Sequence, residues 1–158
     1  MQRESDTPSI EETHRADEAS GRESASPGAQ AANLWADGFC PKVLVVEDEI
    51  QLARLTVRML ERLGCVAKAV DKTAKAENLL LGGAERFDLV YTDQNLTDGT
   101  GTSLCLRIKE RFPGLPVIIC SGNRELLDEA ARGSGAAAYL EKPVTLTELA
   151  EALKKALE

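Results

Sequence analysis

From Lys42 onward, apolar and polar positions switch between two rhythms. Lys42–Val46 is a short continuous apolar run, rich in β-branched residues, the pattern of a strand buried on both faces. Between Ile50 and Leu63 the rhythm becomes helical, with Leu52, Leu55, Thr56, Met59, Leu60 and Leu63 on one stripe and Gly64 as the stop. A second strand is predicted at Cys65–Val70, then a helix capped by Asp71 that runs through Leu81 and ends at Gly82-Gly83. Phe87–Thr92 reads as a third strand, and Thr100–Phe112 as a third helix halted by Pro113. Pro116–Cys120, Asn123–Arg132 and Ala136–Leu140 continue as strand, helix and strand. Thr145-Leu146-Thr147-Glu148 is a capping box that opens a last helix to the C-terminus. Five strands strictly alternating with five helices predict an α/β three-layer sandwich around a parallel, doubly wound sheet. No internal repeat interrupts the pattern.

The first 33 residues lack either rhythm. From the large apolar types they contain only Met1 and Ile10, against seven Ser/Thr and seven Asp/Glu. Such a segment buries too little apolar surface to offset its ordering entropy, so residues 1–40 read as a disordered acidic tail or linker and 41–158 as the folded domain. Charge divides the same way: −5 over residues 1–41 and −2 over 42–158. The single histidine, His14, falls in the tail and reads as a solvated side chain. Leu34, Trp35 and Phe39 are apolar enough either to dock on the domain or to belong to a linker.

Composition narrows the function class. A net charge of −7 over 158 residues disfavours nucleic-acid binding, which needs a basic surplus to neutralise phosphate. No apolar run approaches the roughly 18 residues of a membrane span, and the polar N-terminus offers no signal-peptide core. Cys40, Cys65, Cys105 and Cys120 lie 25, 40 and 15 residues apart, which reads as free buried thiols in a reducing cytoplasm rather than a disulfide framework or zinc site.

In a doubly wound sheet, ligands bind beyond the carboxyl ends of the strands. The first strand runs into Glu47-Asp48-Glu49, the third into Asp93, the fourth into Ser121-Gly122, and the fifth leads to Lys142-Pro143. Glu47, Asp48 and Asp93 then gather at one edge, where like charges about 5 Å apart at an effective dielectric of about 20 repel by roughly 3 kcal/mol per pair. A hard divalent cation with oxygen ligands relieves that repulsion. Lys142 and Ser121 add a cation and a hydroxyl donor, suited to an anion beside the metal. Together these groups describe a phosphoryl-transfer site that forms an aspartyl-phosphate.

Residues 42–158 resemble the receiver domains of two-component response regulators. The resemblance is carried by V-L-V-V-E-D-E, D-L-V-Y-T-D-Q-N-L-T-D-G-T-G, P-V-I-I-C-S-G and Y-L-E-K-P, in the family's order and near its spacing. It implies a flavodoxin-like (βα)5 fold with strand order 2-1-3-4-5, and a phosphoryl group accepted on Asp93 from the phosphohistidine of a histidine kinase or phosphotransfer protein. It further implies that Asp48 and Asp93 ligate Mg2+ with the main-chain carbonyl of Asn95, while Glu47 acts through water. Ser121 and Lys142 would hold the phosphoryl oxygens, helped by the backbone N–H groups of Gln94 and Gly122. Tyr139 matches the aromatic switch residue, its ring turning from exposed to buried as the Ser121 hydroxyl moves. Output to a downstream protein is expected from the face built by the fourth helix, fifth strand and last helix, without turnover of a separate substrate. The Lys142–Pro143 bond is usually cis in the family.

Two departures from the family pattern stand out. Thr97 occupies a position that usually holds Pro, which predicts a more mobile loop after Asp93, and Glu47 replaces the commoner Asp. Asp93-Gln94-Asn95-Leu96-Thr97 also half resembles the nucleophile loop of haloacid-dehalogenase-type phosphatases. Their general acid is Asn95 here, however, and their acidic metal pair follows the Lys rather than preceding it. A receiver reduced to a docking module would have lost the acceptor or the Lys, and neither is lost. A flavin-binding loop after the first strand is contradicted by three carboxylates. No effector domain is expected after the last helix, which leaves a stand-alone receiver or the receiver segment of a hybrid histidine kinase.

Overall fold

The computed structural model describes residues 34–158. Its sheet contains β1 (Lys42–Val46), β2 (Val66–Val70), β3 (Leu89–Asp93), β4 (Val117–Ser121) and β5 (Ala138–Glu141). They lie in the order β2-β1-β3-β4-β5, and every neighbouring pair is parallel. The helices are α1 (Ile50–Arg62), α2 (Thr73–Gly82), α3 (Gly101–Arg111), α4 (Arg124–Gly133) and α5 (Leu146–Leu157). This is the flavodoxin-like strand order expected from the sequence. The winding reverses between β1 and β3, which places a crevice beyond their carboxyl ends.

Alternation along each strand divides the core into two layers. Val43, Val45, Leu89, Tyr91, Ile118 and Cys120 face α1 and α5, where they pack with Leu60, Leu149 and Leu153. Leu44, Val46, Val90, Val117 and Ile119 face the other way, packing with Leu80, Leu104, Ile108 and Leu127 of α2, α3 and α4. β1, β3 and β4 are therefore apolar on both sides, whereas β2, at the sheet edge, exposes Val66.

Three local expectations are corrected. β3 begins at Leu89 rather than Phe87, because Asp88 and Lys42 bond reciprocally: the Asp88 N–H donates to the Lys42 carbonyl (2.7 Å) and the Lys42 N–H to the Asp88 carboxylate (2.8 Å). β5 begins at Ala138 rather than Ala136, since the Ala136 N–H is taken by the Tyr139 hydroxyl and not by the ladder. Asp71 does not cap α2. Lys72 occupies that position without a side-chain bond, and Asp71 instead pairs with Lys75 at 2.8 Å. The Thr145/Glu148 box forms as read, and Thr100 and Asn123, expected as the first residues of their helices, are N-caps instead. Thr100 accepts from the Ser103 N–H, Asn123 from the Leu126 N–H, and both bonds of the Thr145/Glu148 box are present.

The packed unit already includes Leu34 and Trp35, inside the segment read as tail. Both rest against the α1/α5 core, and the Trp35 indole N–H donates to the Leu63 carbonyl at 2.7 Å. The expected tail over residues 1–33, His14 included, lies outside the described residues. Cys65, Cys105 and Cys120 are buried free thiols as expected, but Cys40 is exposed. Burial pushes the thiols of Cys65 and Cys120 up to about 12.

Candidate functional site

β1 and β3 deliver their acidic residues to the same point. The Glu47 N–H still bonds to the Val70 carbonyl (3.0 Å), so Glu47 leaves β1 in strand geometry, and Asp93 is the last residue of β3, paired with Cys120. Both are buried, at 6% and 8% exposure, and Asp48 is half-buried beside them. One carboxylate oxygen from each of Glu47, Asp48 and Asp93 lies within 4.8 Å of the others. From the end of β5, Lys142 reaches back across the crevice. Its Nζ is 3.0 Å from Glu47 Oε2 and 3.1 Å from Asp93 Oδ1, and its backbone N–H donates to the Ser121 carbonyl.

Charge in this cluster is unbalanced. Burial pushes the Glu47 carboxyl up, the nearby Asp93 adds to that, and the Lys142 hydrogen bond works against it. Burial also acts to lower the Lys142 ammonium, but its bonds to Glu47 and Asp93 prevail and hold it above its ordinary value. One ammonium against three carboxylates leaves a deficit of two charges. An all-oxygen, partly buried donor set of that charge fits a hard divalent cation.

The loop after Asp93 is tied down on both sides. Asn95–Leu96 and Gly99–Thr100 pair as a short antiparallel hairpin. The Asp98 carboxylate accepts from the Thr73 N–H (2.9 Å), the Thr73 hydroxyl (3.0 Å) and the Ala74 N–H (3.1 Å), so it caps α2 from a distance. The mobility expected from Thr97 is countered by this anchor on the very next residue. Gln94 is the site residue whose expected role the geometry contradicts. Its N–H is spent on the Cys120 carbonyl at 2.8 Å, continuing the sheet, so it is not free to bind a phosphoryl oxygen. Its side chain instead accepts from the Thr102 N–H (2.9 Å) and hydroxyl (3.0 Å) at the start of α3. The observed roles of the Gln94 side chain, Thr102 and Asp98 are not legible in the sequence, since each depends on a partner brought near only by the fold.

Ser121 ends β4 fully buried, and its Oγ accepts from the Asn123 N–H at 3.0 Å, which leaves its own proton free to donate. Gly122 follows at the exposed rim. The Lys142–Pro143 bond is cis. Tyr139 is already half-buried, with its hydroxyl bonded to Ser134 and the Ala136 N–H, so the exposed ring expected for the resting state is not what this structure holds.

Residues 43–154 match the family described as the response regulator receiver domain. The chain belongs to that family. It is 35% identical over 118 residues to the response regulator protein PilR of Pseudomonas aeruginosa, covering 73% of this chain and 26% of PilR. To the transcriptional regulatory protein CitT of Bacillus subtilis it is 33% identical over 114 residues, covering 70% of this chain and 50% of CitT. The chain thus spans a quarter to a half of the length of these relatives. Among solved structures, a receiver domain protein from Clostridium thermocellum matches with a TM-score of 0.68 at 28% identity, covering 74% of this chain and 94% of that one. One from Methanospirillum hungatei matches at 0.65 and 28%, covering 75% and 94%. The receiver assignment removes the basis for the haloacid-dehalogenase-type reading. No helix among the described residues is long and apolar enough to cross a membrane.

Proposed function

We propose that this receiver accepts a phosphoryl group on Asp93 from the phosphohistidine of a histidine kinase or phosphotransfer protein. The observation that carries the reading is the placement of Asp93: its carboxylate ends the central strand, buried, within 4.8 Å of two other carboxylates and 3.1 Å from Lys142. A carboxylate oxygen of Asp93 forms the new O–P bond as the P–N bond to the donor imidazole breaks, and the departing nitrogen retains the electron pair and takes up a proton. Lys142 holds Asp93 in place before transfer and carries the positive charge to meet the added phosphoryl oxygens. Ser121 supplies a hydroxyl proton to one of them, and Gly122 a backbone N–H.

Asp48, Asp93 and the main-chain carbonyl of Asn95 are the direct ligands we assign to Mg2+. Glu47 is assigned to act through water; its two oxygens accept from Lys142 and from the Glu49 N–H. When bound, the ion neutralises the carboxylates and the charge of the transferring group. Output passes through the face formed by α4, β5 and α5, with Ser121 and Tyr139 as the trigger and a downstream protein as the partner. The chain is a regulator in the cytoplasm, not an enzyme that turns over a separate substrate. One relative is named a DNA-binding transcriptional regulator, but this acidic chain spans 25% of its length, and direct nucleic-acid binding is no part of the proposal.

The test is to mix the protein with Mg2+ and a small phosphodonor and locate the label by mass spectrometry. Label on Asp93, abolished in Asp93→Asn, is expected. Stoichiometric label persisting in Asp93→Asn would sink the assignment.

A further inference from the structure

The hydroxyl of Tyr139 has both of its hydrogen-bonding directions filled. It lies 2.9 Å from Ser134 Oγ and accepts the Ala136 N–H at 3.0 Å. Ser134 is only 2% exposed and directly follows α4. Its N–H donates to the Ala130 carbonyl (2.9 Å), and its carbonyl accepts the Cys105 thiol of α3 (3.4 Å). The residue that holds Tyr139 is therefore fixed to two helices through its backbone, and its hydroxyl meets the tyrosine while also accepting the Ala136 N–H at 3.3 Å.

Register shows what that contact opposes. Tyr139 pairs with Ile119 and Ser121 with Glu141, so Tyr139 and Ser121 project from one face of neighbouring strands. Two residues of rise and one strand spacing put their α-carbons about 8 Å apart. α4 starts beside Ser121 and runs back across the sheet, so Ser134 lies toward the end away from Asp93. The phenol can be directed toward Ser121 or toward Ser134, but not toward both.

We propose that Ser134 is a positioning residue for the switch: with the Ala136 N–H it latches Tyr139 away from Ser121 in the unphosphorylated chain. This rests on the reading above, that Asp93 carries the phosphoryl group and Tyr139 responds to it. Turning the ring toward Ser121 breaks both phenol bonds and leaves the buried Ser134 hydroxyl with only the longer Ala136 N–H contact of 3.3 Å. The latch therefore weights a two-state equilibrium toward the resting form, and removing its hydroxyl shifts that equilibrium by roughly two- to tenfold, the worth of one neutral hydrogen bond.

Beryllofluoride with Mg2+, as a mimic of the phosphoryl group, tests this on the full chain by nuclear magnetic resonance. The Tyr139 ring is distinguishable because Tyr91 is the only other tyrosine. Amide signals of α4 report the same transition in variants that lack the phenol. In Ser134→Ala the titration midpoint is expected to fall two- to tenfold, in Ser134→Thr to stay at the wild-type value, and in a Tyr139→Phe background Ser134→Ala is expected to have no further effect. A wild-type midpoint in Ser134→Ala overturns the latch, even if the variant melts at a lower temperature, because that combination is a structural role alone. A Tyr139 ring unmoved by beryllofluoride while the Asp93 loop shifts overturns the switch and the latch with it. No shift in either region overturns the phosphoacceptor reading.

Discussion

A β-carbon on Gly101 would lie 2.6 Å from the carbonyl oxygen of Asp93 and 3.2 Å from the Gln94 α-carbon. The start of α3 can pass this close to Asp93 only without a side chain. The approach is fixed from both directions, because the Gly101 N–H donates to the Gln94 carbonyl at 2.9 Å. Gly101→Ala must displace backbone rather than a side-chain tip, and we expect it to cost about 1–3 kcal/mol of stability and to slow phosphorylation of Asp93. Gly82→Ala is the control, since Gly82 is helical with nothing within 4 Å of its added carbon. That substitution is expected to be neutral or stabilising by about 0.4–1 kcal/mol. Urea unfolding of both variants, with labelling rates alongside, would show whether Gly101 is special; equal stability changes would dismiss the close approach as the cause. At this scale the gathering of Asp93, the acidic pair and Lys142 at one point is legible because motifs of a few residues carry them. Gln94 was misjudged for the converse reason: its N–H belongs to Cys120, 26 positions along the chain, and nothing local announces that bond.

Among the elements, α2 shows the same limit and yields a prediction. Thr100, Asn123 and Thr145 cap their helices from the adjoining position, where sequence rules apply; the Thr145 box is legible as a cap, while Thr100 and Asn123 read only as the first residues of their helices. The cap of α2 comes from Asp98, 25 residues downstream of Thr73, so the nearer carboxylate of Asp71 was chosen in error. The Thr73 N–H, followed by the Ala74 N–H and the Thr73 hydroxyl, holds the Asp98 carboxyl below the usual carboxylate range. A depressed folded-state value means the bond stabilises the fold above the unfolded-state value near 4 and is lost as pH falls through the folded-state value. Asp98→Ala is therefore expected to destabilise by about 1 kcal/mol above roughly pH 5, with the gap to wild type closing in more acidic solution. Thermal melts of both proteins across that range decide it. A gap that persists unchanged in acid would mean that Asp98 acts by packing rather than by charge. Because Asp98 lies in the loop that begins at Asp93, this cap also fastens that loop to the start of α2.

At the scale of the whole molecule, the layer architecture was legible because strand and helix periods alternate without interruption, and short connections allow few parallel topologies. The docking of Trp35 was less so. Whether a lone aromatic pair ahead of the domain packs depends on an orphan acceptor, here the Leu63 carbonyl at the end of α1, that only the folded chain presents. The same fold concentrates three carboxylates against one ammonium at one end of the sheet, and it does so only when folded. A cation held by that cluster binds the native state and not the unfolded chain, so it stabilises by linkage. At a Mg2+ concentration about 100 times its dissociation constant the gain is about 2.7 kcal/mol, on the order of 10 °C in melting temperature for a domain of this size. Wild type should show that rise over matched ionic strength in NaCl. Asp48→Ala, which keeps Lys142 bonded to Glu47 and Asp93 but loses a ligand, should stay nearly flat. An equal rise in both proteins would place the metal elsewhere. A rise reproduced by NaCl alone would reduce the effect to general screening of an acidic chain.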